Sequence, residues 1–144
     1  MKAIALFGSV LLILANKAAP SPQVAAVWAQ ERAYWQATVD QDDAVYQSLW
    51  HPAFLGWPCD EKMPVSGRPP HMVRDAVKRS YAMRGQVATE APNLVSTFYH
   101  AREKDVMPGG KVAVTDYEVT HTWVPTRAGW KIISGMCKHP VAGR

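Results

Sequence analysis

Between positions 23 and 50 the apolar residues recur at intervals of three and four, which is the spacing of one face of an α-helix. Residues 23–39 predict a first helix that carries Glu31 between its apolar positions. The aspartate-rich residues 40–43 break this helix and supply an N-cap for a short second helix, which His51 and Pro52 end. The apolar positions of the first helix are Val24, Val27, Trp28, Tyr34, Trp35 and Thr38, and those of the second are Val45, Tyr46, Leu49 and Trp50.

A short strand, a loop and a third helix are predicted next. Residues 54–57 form the strand, and residues 58–68, which are rich in proline, glycine and charge, form the loop. Pro69 and Pro70 favour the start of a helix, because proline is tolerated in the first helical turn. Gly85 is expected to end this helix. Its apolar stripe consists of Met72, Val73, Ala76, Val77 and Tyr81.

From residue 86 onward the apolar positions alternate with a period of two, which is typical of β-strands. The predicted strands cover residues 86–90, 94–107, 112–124 and 130–138. Short turns join the last three strands, so they form an antiparallel meander. Helices gathered on one side of an antiparallel sheet indicate the α+β fold class.

The first residues of the chain have the pattern of a secretory signal peptide. Residues 3–15 carry no charge, follow Lys2, and are shorter than the ~20 residues that span a bilayer. We therefore assign residues 1–19 to a signal peptide, with an uncleaved membrane anchor as the alternative. Export predicts a secreted or periplasmic protein with one domain over residues 23–140 and no membrane contact after cleavage.

The charge of the chain depends on this leader. All 144 residues include 16 Lys and Arg against 12 Asp and Glu, a formal net charge of +4. Without residues 1–19, which include Lys2 and Lys17, 14 basic residues face 12 acidic ones and the net charge is +2. The basic residues are scattered, so no nucleic-acid partner is expected.

The expected chemical state of the two cysteines depends on whether the protein is exported. Cys59 and Cys137 would meet an oxidising compartment, where a disulfide forms readily, and two buried free thiols are the alternative. A metal site that adds His139 is disfavoured, because the chain has no Cys-x-x-Cys or His-x-x-x-His pair. We expect neither a metal nor a cofactor.

Several short motifs occur in a characteristic order. They are Glu-Arg-Ala-Tyr-Trp at 31–35, the helix break at 40–43, His-Pro-Ala-Phe-Leu-Gly-Trp-Pro at 51–58, Gly67, and Ala-Gly-Trp-Lys-Ile-Ile-Ser-Gly at 128–135. Through them the chain resembles the SnoaL-like branch of the nuclear transport factor 2-like (NTF2-like) superfamily, particularly its small secreted members of unassigned function. The resemblance covers residues 23–138.

This resemblance implies a cone-like, curved antiparallel sheet wrapped around the N-terminal helices, with a pocket at the open end. It also implies that two copies pair through the outer face of the sheet. Members of the superfamily include isomerases, dehydratases, cyclases and non-catalytic modules, so the fold does not settle the function. In the steroid isomerase branch a helix tyrosine donates to a developing oxyanion, and Tyr34 aligns with it. The aspartate base of that branch falls near Pro58 or Cys59, with Asp60 one or two residues late. The second acid that would complete the oxyanion site has no clear counterpart here.

His121 is the candidate acid–base residue that the strand pattern itself provides. Its strand alternates between a more apolar face, expected to point towards the helices, and a polar face of Asp116, Glu118, Thr120 and Thr122. Burial among aromatic groups would keep the imidazole neutral and able to exchange a proton. A hydrogen-bonded core histidine is the alternative. The apolar face carries Ala113, Thr115, Tyr117, Val119, His121 and Trp123.

These residues predict an exported small-molecule-binding domain with an apolar, aromatic pocket. Its ligand would be small and apolar or aromatic, and Arg68 would offer a fork for a carboxylate unless it is a solvated loop residue. An enzyme of the isomerase, dehydratase or cyclase type, with His121 as acid–base and Tyr34 as hydrogen-bond donor, is the first alternative. A non-catalytic homodimeric interaction module that uses the polar sheet face is the second. The predicted pocket residues are Tyr34, Trp57, Tyr117, His121 and Trp123.

Overall fold

Two helices open the described part of the chain in this computed structural model, which describes residues 19–69 and 75–141. Helix α1 is Pro22–Asp40, and the Ser21 hydroxyl caps it by accepting a hydrogen bond from the Val24 amide at 3.2 Å. Helix α2 is Asp43–Ser48, and the Asp42 carboxylate caps it through the Val45 amide at 2.9 Å. Both helices confirm the prediction. None of the described helices is long and apolar enough to cross a membrane, and residues 1–18 of the predicted signal peptide lie outside the described residues.

Six strands follow and build two antiparallel sheets. The small sheet pairs β1 (Leu55–Gly56) with β2 (Val65–Ser66). The main sheet has the order β3-β4-β5-β6, with every neighbouring pair antiparallel. This arrangement confirms the α+β class and the antiparallel meander. The strands of the main sheet are β3 (Lys78–Ala91), β4 (Leu94–Val106), β5 (Val112–Thr126) and β6 (Gly129–Lys138).

The predicted third helix is wrong over its second half. Residues 75–77 are irregular and β3 begins at Lys78, so the residues expected to continue a helix to Gly85 form a strand. Gly85 has a φ of 62° and lies within a register shift of the β3–β4 pairing, so it marks a bulge and not a helix end. Residues 70–74, which carry the first part of the predicted stripe, lie outside the described residues.

Pairing with β4 decides the conformation of this segment. The four-residue spacing from Val77 to Tyr81 fits a helix face, but an even spacing fits one face of a strand equally well. Only the hydrogen bonds to β4, which are remote in sequence, select the strand. Arg79, Tyr81 and Met83 lie opposite Asp105, Glu103 and Ala101 of β4.

The core lies between α1 and the inner face of the main sheet. Alternate residues of β5 are buried, as the alternation predicts: Tyr117, Val119, His121 and Trp123. The buried hydrophobic residues form two groups. One contains Val27, Ala37, Tyr46, Trp50, Phe54, Val95, Trp123 and Ile132, and the other contains Trp35, Tyr99, Ala101, Tyr117 and Val119.

The segment after α2 runs along β6 and is fastened to it. The Trp57 amide donates to the Gly135 carbonyl at 2.8 Å, and the Cys137 amide donates to the Trp57 carbonyl at 3.0 Å. Cys59 and Cys137 form a disulfide, with their Cα atoms 4.6 Å apart. Of the two alternatives for the cysteines, the structure has the disulfide, so neither sulfur is available as a thiolate ligand for a metal.

Candidate functional site

A cavity of about 120 Å³ lies between the two helices, the segment after β1 and the inner face of the sheet. An apolar cavity of about 150 Å³ admits a molecule the size of benzene, so this smaller space limits a ligand to about the size of a small ring at most. Aromatic side chains form a large part of the wall. The aromatic side chains on it are Tyr34, Trp35, Tyr46, Trp50, Phe54, Trp57 and Tyr117, and His121 joins them.

Behind this wall lies the carboxylate of Glu31, a residue of α1 with no exposed surface. Its Oε1 accepts hydrogen bonds from the Thr97 hydroxyl at 2.5 Å and the Trp123 indole at 2.7 Å. Its Oε2 accepts from the Tyr99 hydroxyl at 2.7 Å and lies 3.0 Å from Nδ1 of His121. Four donors from two strands therefore converge on one helix carboxylate.

Glu31 is an ionised carboxylate despite its burial. Burial by itself raises its pKa, because it penalises the charged form. The electrostatic interaction with His121 and the hydrogen bonds from His121, Thr97 and Tyr99 together outweigh that effect and lower the pKa of Glu31 below its ordinary value. The sequence did not place this group in the site.

His121 occupies the boundary between Glu31 and the cavity. Its Nδ1 faces Glu31, and Nε2 has no hydrogen-bond partner among the described residues. The ring packs edge-on against Tyr34 at 5.2 Å and Trp50 at 5.9 Å between centroids. His121 therefore lies among aromatic rings, as the strand pattern predicts, and a buried carboxylate also holds one of its two nitrogens.

Tyr34 contributes a hydroxyl group to the cavity wall. Tyr34 and Tyr46 share a hydrogen bond. The Tyr46 hydroxyl also lies beside the indole nitrogen of Trp50, but the geometry of that contact is not that of a hydrogen bond. Burial is the main reason that the pKa of Tyr34 is well above its usual value and that the pKa of Tyr46 rises to about 12. Both groups therefore remain protonated and able to donate a hydrogen bond at neutral pH.

A second polar cluster reaches the cavity from β3 and β4. The Arg79 guanidinium makes two hydrogen bonds to the Asp105 carboxylate, at 2.7 and 3.0 Å, and a third to the Thr38 carbonyl at 3.1 Å. Glu103 lies 3.5 Å from the same guanidinium. The hydrogen bonds to Asp105 raise the pKa of Arg79, so this cation is held as a permanent charge inside the fold.

The structure brings four of the six predicted site residues to the cavity, namely Tyr34, Trp57, Tyr117 and His121. Trp57 is 41% exposed, and its indole donates to the Glu61 carbonyl at 2.6 Å, which fixes the ring at the rim.

Trp123 and Arg68 are not on the cavity wall, which corrects the prediction for both. Trp123 is completely buried, because its indole donates a hydrogen bond to Glu31 and its ring packs in the core. Arg68 is exposed to solvent, and only the next residue along the chain, Pro69, reaches the cavity. A carboxylate fork at Arg68 therefore has no support in this arrangement.

Sequence reasoning missed Glu31, Arg79 and Glu103. A signal for Glu31 was present, because a charged residue stands between Val27 and Trp35 on an otherwise apolar helix face, where a buried partner is required. For Arg79 no such signal existed, because the segment was assigned to a helix.

Comparison with known proteins gives matches to solved structures alone. No family model and no curated protein matches the chain. A candidate dehydratase of the NTF2-like family from Streptomyces avermitilis superimposes with a TM-score of 0.73 at 15% identity, covering 85% of this chain and 100% of that one. The chain has the NTF2-like fold.

Other proteins that share the NTF2-like fold with this chain differ in their described roles. A candidate scytalone dehydratase from Novosphingobium aromaticivorans gives a TM-score of 0.71 at 8% identity, covering 82% of this chain and 84% of that one. A CaMKII hub homology domain from Chlamydomonas reinhardtii gives 0.66 at 15% identity, covering 82% and 98%. At identities this low, the structural similarity establishes the fold alone, and the SnoaL-like branch remains a prediction.

Proposed function

We propose that this protein binds a small, mostly apolar molecule in the cavity and that His121, oriented by Glu31, transfers a proton on that molecule. One observation carries the proposal. The imidazole lies on the cavity wall with Nδ1 held by a buried carboxylate, while Nε2 has no partner among the described residues. This arrangement is how proteins present the second imidazole nitrogen to a substrate.

The state of Glu31 determines which nitrogen of His121 is the base. Because the carboxylate is ionised and acts only as an acceptor, the proton of a neutral imidazole stays on Nδ1. The lone pair is then on Nε2, at the cavity. Glu31 also stabilises the imidazolium that forms when Nε2 accepts a proton, which lowers the barrier for proton abstraction.

Dehydration of a β-hydroxy carbonyl compound is the reaction class that fits best, and two structural neighbours are described as dehydratases. His121 Nε2 takes the proton from the carbon next to the carbonyl, and the electron pair of that bond forms the carbon–carbon double bond as the hydroxyl leaves. The imidazolium returns its proton to the leaving oxygen. The products are water and the unsaturated carbonyl compound.

Tyr34 would assist as a hydrogen-bond donor to the carbonyl oxygen. Its raised pKa keeps the hydroxyl protonated, and its ring lies 5.2 Å from that of His121. A donor at this position stabilises the negative charge that develops on oxygen when the carbon loses its proton. Binding without turnover is the alternative use of the same cavity.

Export remains part of the proposal. The disulfide between Cys59 and Cys137 fits an oxidising compartment, and the apolar leader at residues 1–19 fits secretion or transport to a periplasm.

Small aliphatic β-hydroxy ketones provide the test, because they match the size of the cavity and formation of the conjugated product is visible by ultraviolet absorbance. His121→Gln is expected to lower the turnover at least about 100-fold while leaving ligand affinity within a few-fold. His100→Gln is the matched control, because His100 is an exposed histidine of β4. Equal turnover in wild type and His121→Gln would contradict the proposed chemistry. A retained ligand that mass spectrometry detects and that is not converted would favour binding alone.

A homodimer through the outer face of the main sheet is a second candidate role. Val87 and Phe98 lie opposite each other on this face, and Thr120 separates Phe98 from Met136; the three apolar residues are 61%, 47% and 58% exposed. Several neighbours are described as CaMKII hub or association domains. Light scattering is expected to show a dimer that Phe98→Asp converts to a monomer, and a wild-type monomer at high concentration would exclude it.

A further inference from the structure

Gly135 of β6 lies directly opposite His121 in the β5–β6 pairing. A Cβ atom built on Gly135 would lie 2.7 Å from Cδ2 of His121 and 2.7 Å from the Thr120 carbonyl oxygen. Real Cβ atoms essentially never make contacts this close. Gly135 does not have a positive φ, so its backbone conformation suits any residue and only the lack of space requires glycine.

The imidazole is therefore held from both flanks. Nδ1 and Cδ2 are the two ring atoms bonded to Cγ, and they lie on opposite sides of the ring. Glu31 lies on the Nδ1 side, while the backbone of Gly135 lies on the Cδ2 side. A half-turn of the ring would face Cδ2 to the carboxylate and remove the hydrogen bond. The remaining edge of the ring, which carries Nε2, is directed away from both supports.

Strand β6 has little freedom to withdraw from His121. On its other side it is packed against β1, where a Cβ atom on Gly56 would lie 2.4 Å from the Gly135 carbonyl oxygen. The Trp57 amide bonds the same carbonyl at 2.8 Å, and the disulfide follows two residues later on each segment. Two facing glycines thus let the backbone of β6 fit between β1 and the imidazole.

We propose that Gly135 is a positioning residue, whose missing side chain leaves the space in which the His121 ring lies in line with Glu31, so that Nδ1 stays on the carboxylate and Nε2 faces the cavity. The consequence for turnover rests on the proposed function, whereas the orientation of the ring does not. A methyl group at position 135 would push the ring out of line with the carboxylate, because β6 cannot retreat.

Nitrogen-15 NMR of the imidazole in Gly135→Ala tests this directly. The wild type is expected to show the Nδ1–H form of neutral His121, with a strongly deshielded Nδ1 proton bonded to Glu31. Gly135→Ala is expected to lose that proton signal and to populate the Nε2–H form. If a β-hydroxy ketone is turned over, kcat should fall about 100-fold with KM changed by less than about two-fold, as displacement of a reacting group predicts.

Ile132→Val is the control, because Ile132 is a completely buried residue of the same strand and the substitution removes one buried methyl group. It should keep the wild-type imidazole spectrum. An unchanged spectrum in Gly135→Ala would overturn the proposal, whatever the activity of the protein.

The wild type supplies a second measurement if Gly135→Ala does not fold. A nuclear Overhauser effect is expected between the His121 Hδ2 proton and the Gly135 Hα protons, with none from Hε1. The opposite pattern would refute the orientation. Absence of turnover in the wild type would reject the proposed reaction and leave this result intact.

Discussion

The Glu31 carboxylate and the His121 imidazole lie 90 residues apart in the sequence, yet Oε2 of one is 3.0 Å from Nδ1 of the other. This contact joins α1 to β5 inside the core and reaches the cavity through the far side of the ring. The contact links the stability of the fold to the proposed proton transfer, since the same carboxylate takes part in both.

Glu31→Ala is expected to destabilise the protein by about 3–5 kcal/mol, because it leaves buried donors of Thr97, Tyr99, His121 and Trp123 without their acceptor. Urea unfolding followed by tryptophan fluorescence measures this loss. Glu118→Ala removes an exposed pair with Lys138 and should change stability by less than about 1 kcal/mol. Similar losses for the two variants would show that the buried carboxylate is not a structural centre.

Stability should fall in acid because of the same carboxylate. The folded pKa of Glu31 is below its ordinary value of 4.5, so its ionised form contributes stability above about pH 4.5. That contribution is lost as the pH falls through the folded pKa. Glu31→Gln should show a shallower decline than wild type in unfolding free energy measured from neutral pH into this range. Asp116→Asn is the control, because the pKa of Asp116 is also lowered, by its hydrogen bond to Arg102, and this carboxylate can add to the same decline in acid. If the unfolding free energy of Glu31→Gln fell with pH as steeply as that of wild type, Glu31 would not be the group responsible for the acid dependence.

At alkaline pH the buried tyrosines should destabilise the fold. Burial raises the pKa of Tyr46 to about 12 and that of Tyr34 well above its usual value, whereas unfolded tyrosines ionise near 10. Their stabilising effect is therefore complete below about pH 10 and is lost as the pH rises through the folded values. Tyr46→Phe is expected to flatten this decline in unfolding measurements between about pH 9 and 12. Tyrosinate absorbance that appears near pH 10 for all tyrosines of the folded protein would exclude the effect.

The disulfide should stabilise the fold substantially, because it closes a long loop. Cys59 and Cys137 are 78 residues apart, for which the chain-entropy model gives about 4–5 kcal/mol. Guanidinium unfolding of the oxidised protein and of the Cys59→Ser, Cys137→Ser double variant measures the difference. The variant treated with reductant serves as the control, since reductant should lower the midpoint of the wild type only. Identical unfolding midpoints for the oxidised protein and the double variant would mean that the disulfide does not stabilise the fold.

How much could be predicted from the sequence differs between the fold and the site. The inward face of β5 followed from alternation, and it placed Tyr117 and His121 correctly. The same kind of reasoning failed for residues 78–84, because an even spacing suits both a helix face and a strand face. Trp123 was placed on the correct face but in the wrong environment, since its indole donates to Glu31 behind the cavity wall.

The sequence by itself determined α1, α2, the antiparallel meander and the inner face of β5, because caps, turns and periodicity act between residues that are close along the chain. Tertiary structure alone decided the conformation of β3, the pairing of Glu31 with His121, the disulfide and the shape of the cavity. Those features depend on contacts between residues that are distant in the sequence, from Arg84 and His100, 16 positions apart, to Glu31 and Trp123, 92 positions apart. A local sequence pattern does not show which distant groups will come into contact. When those groups are buried together, burial determines the charge and the hydrogen bonding of each.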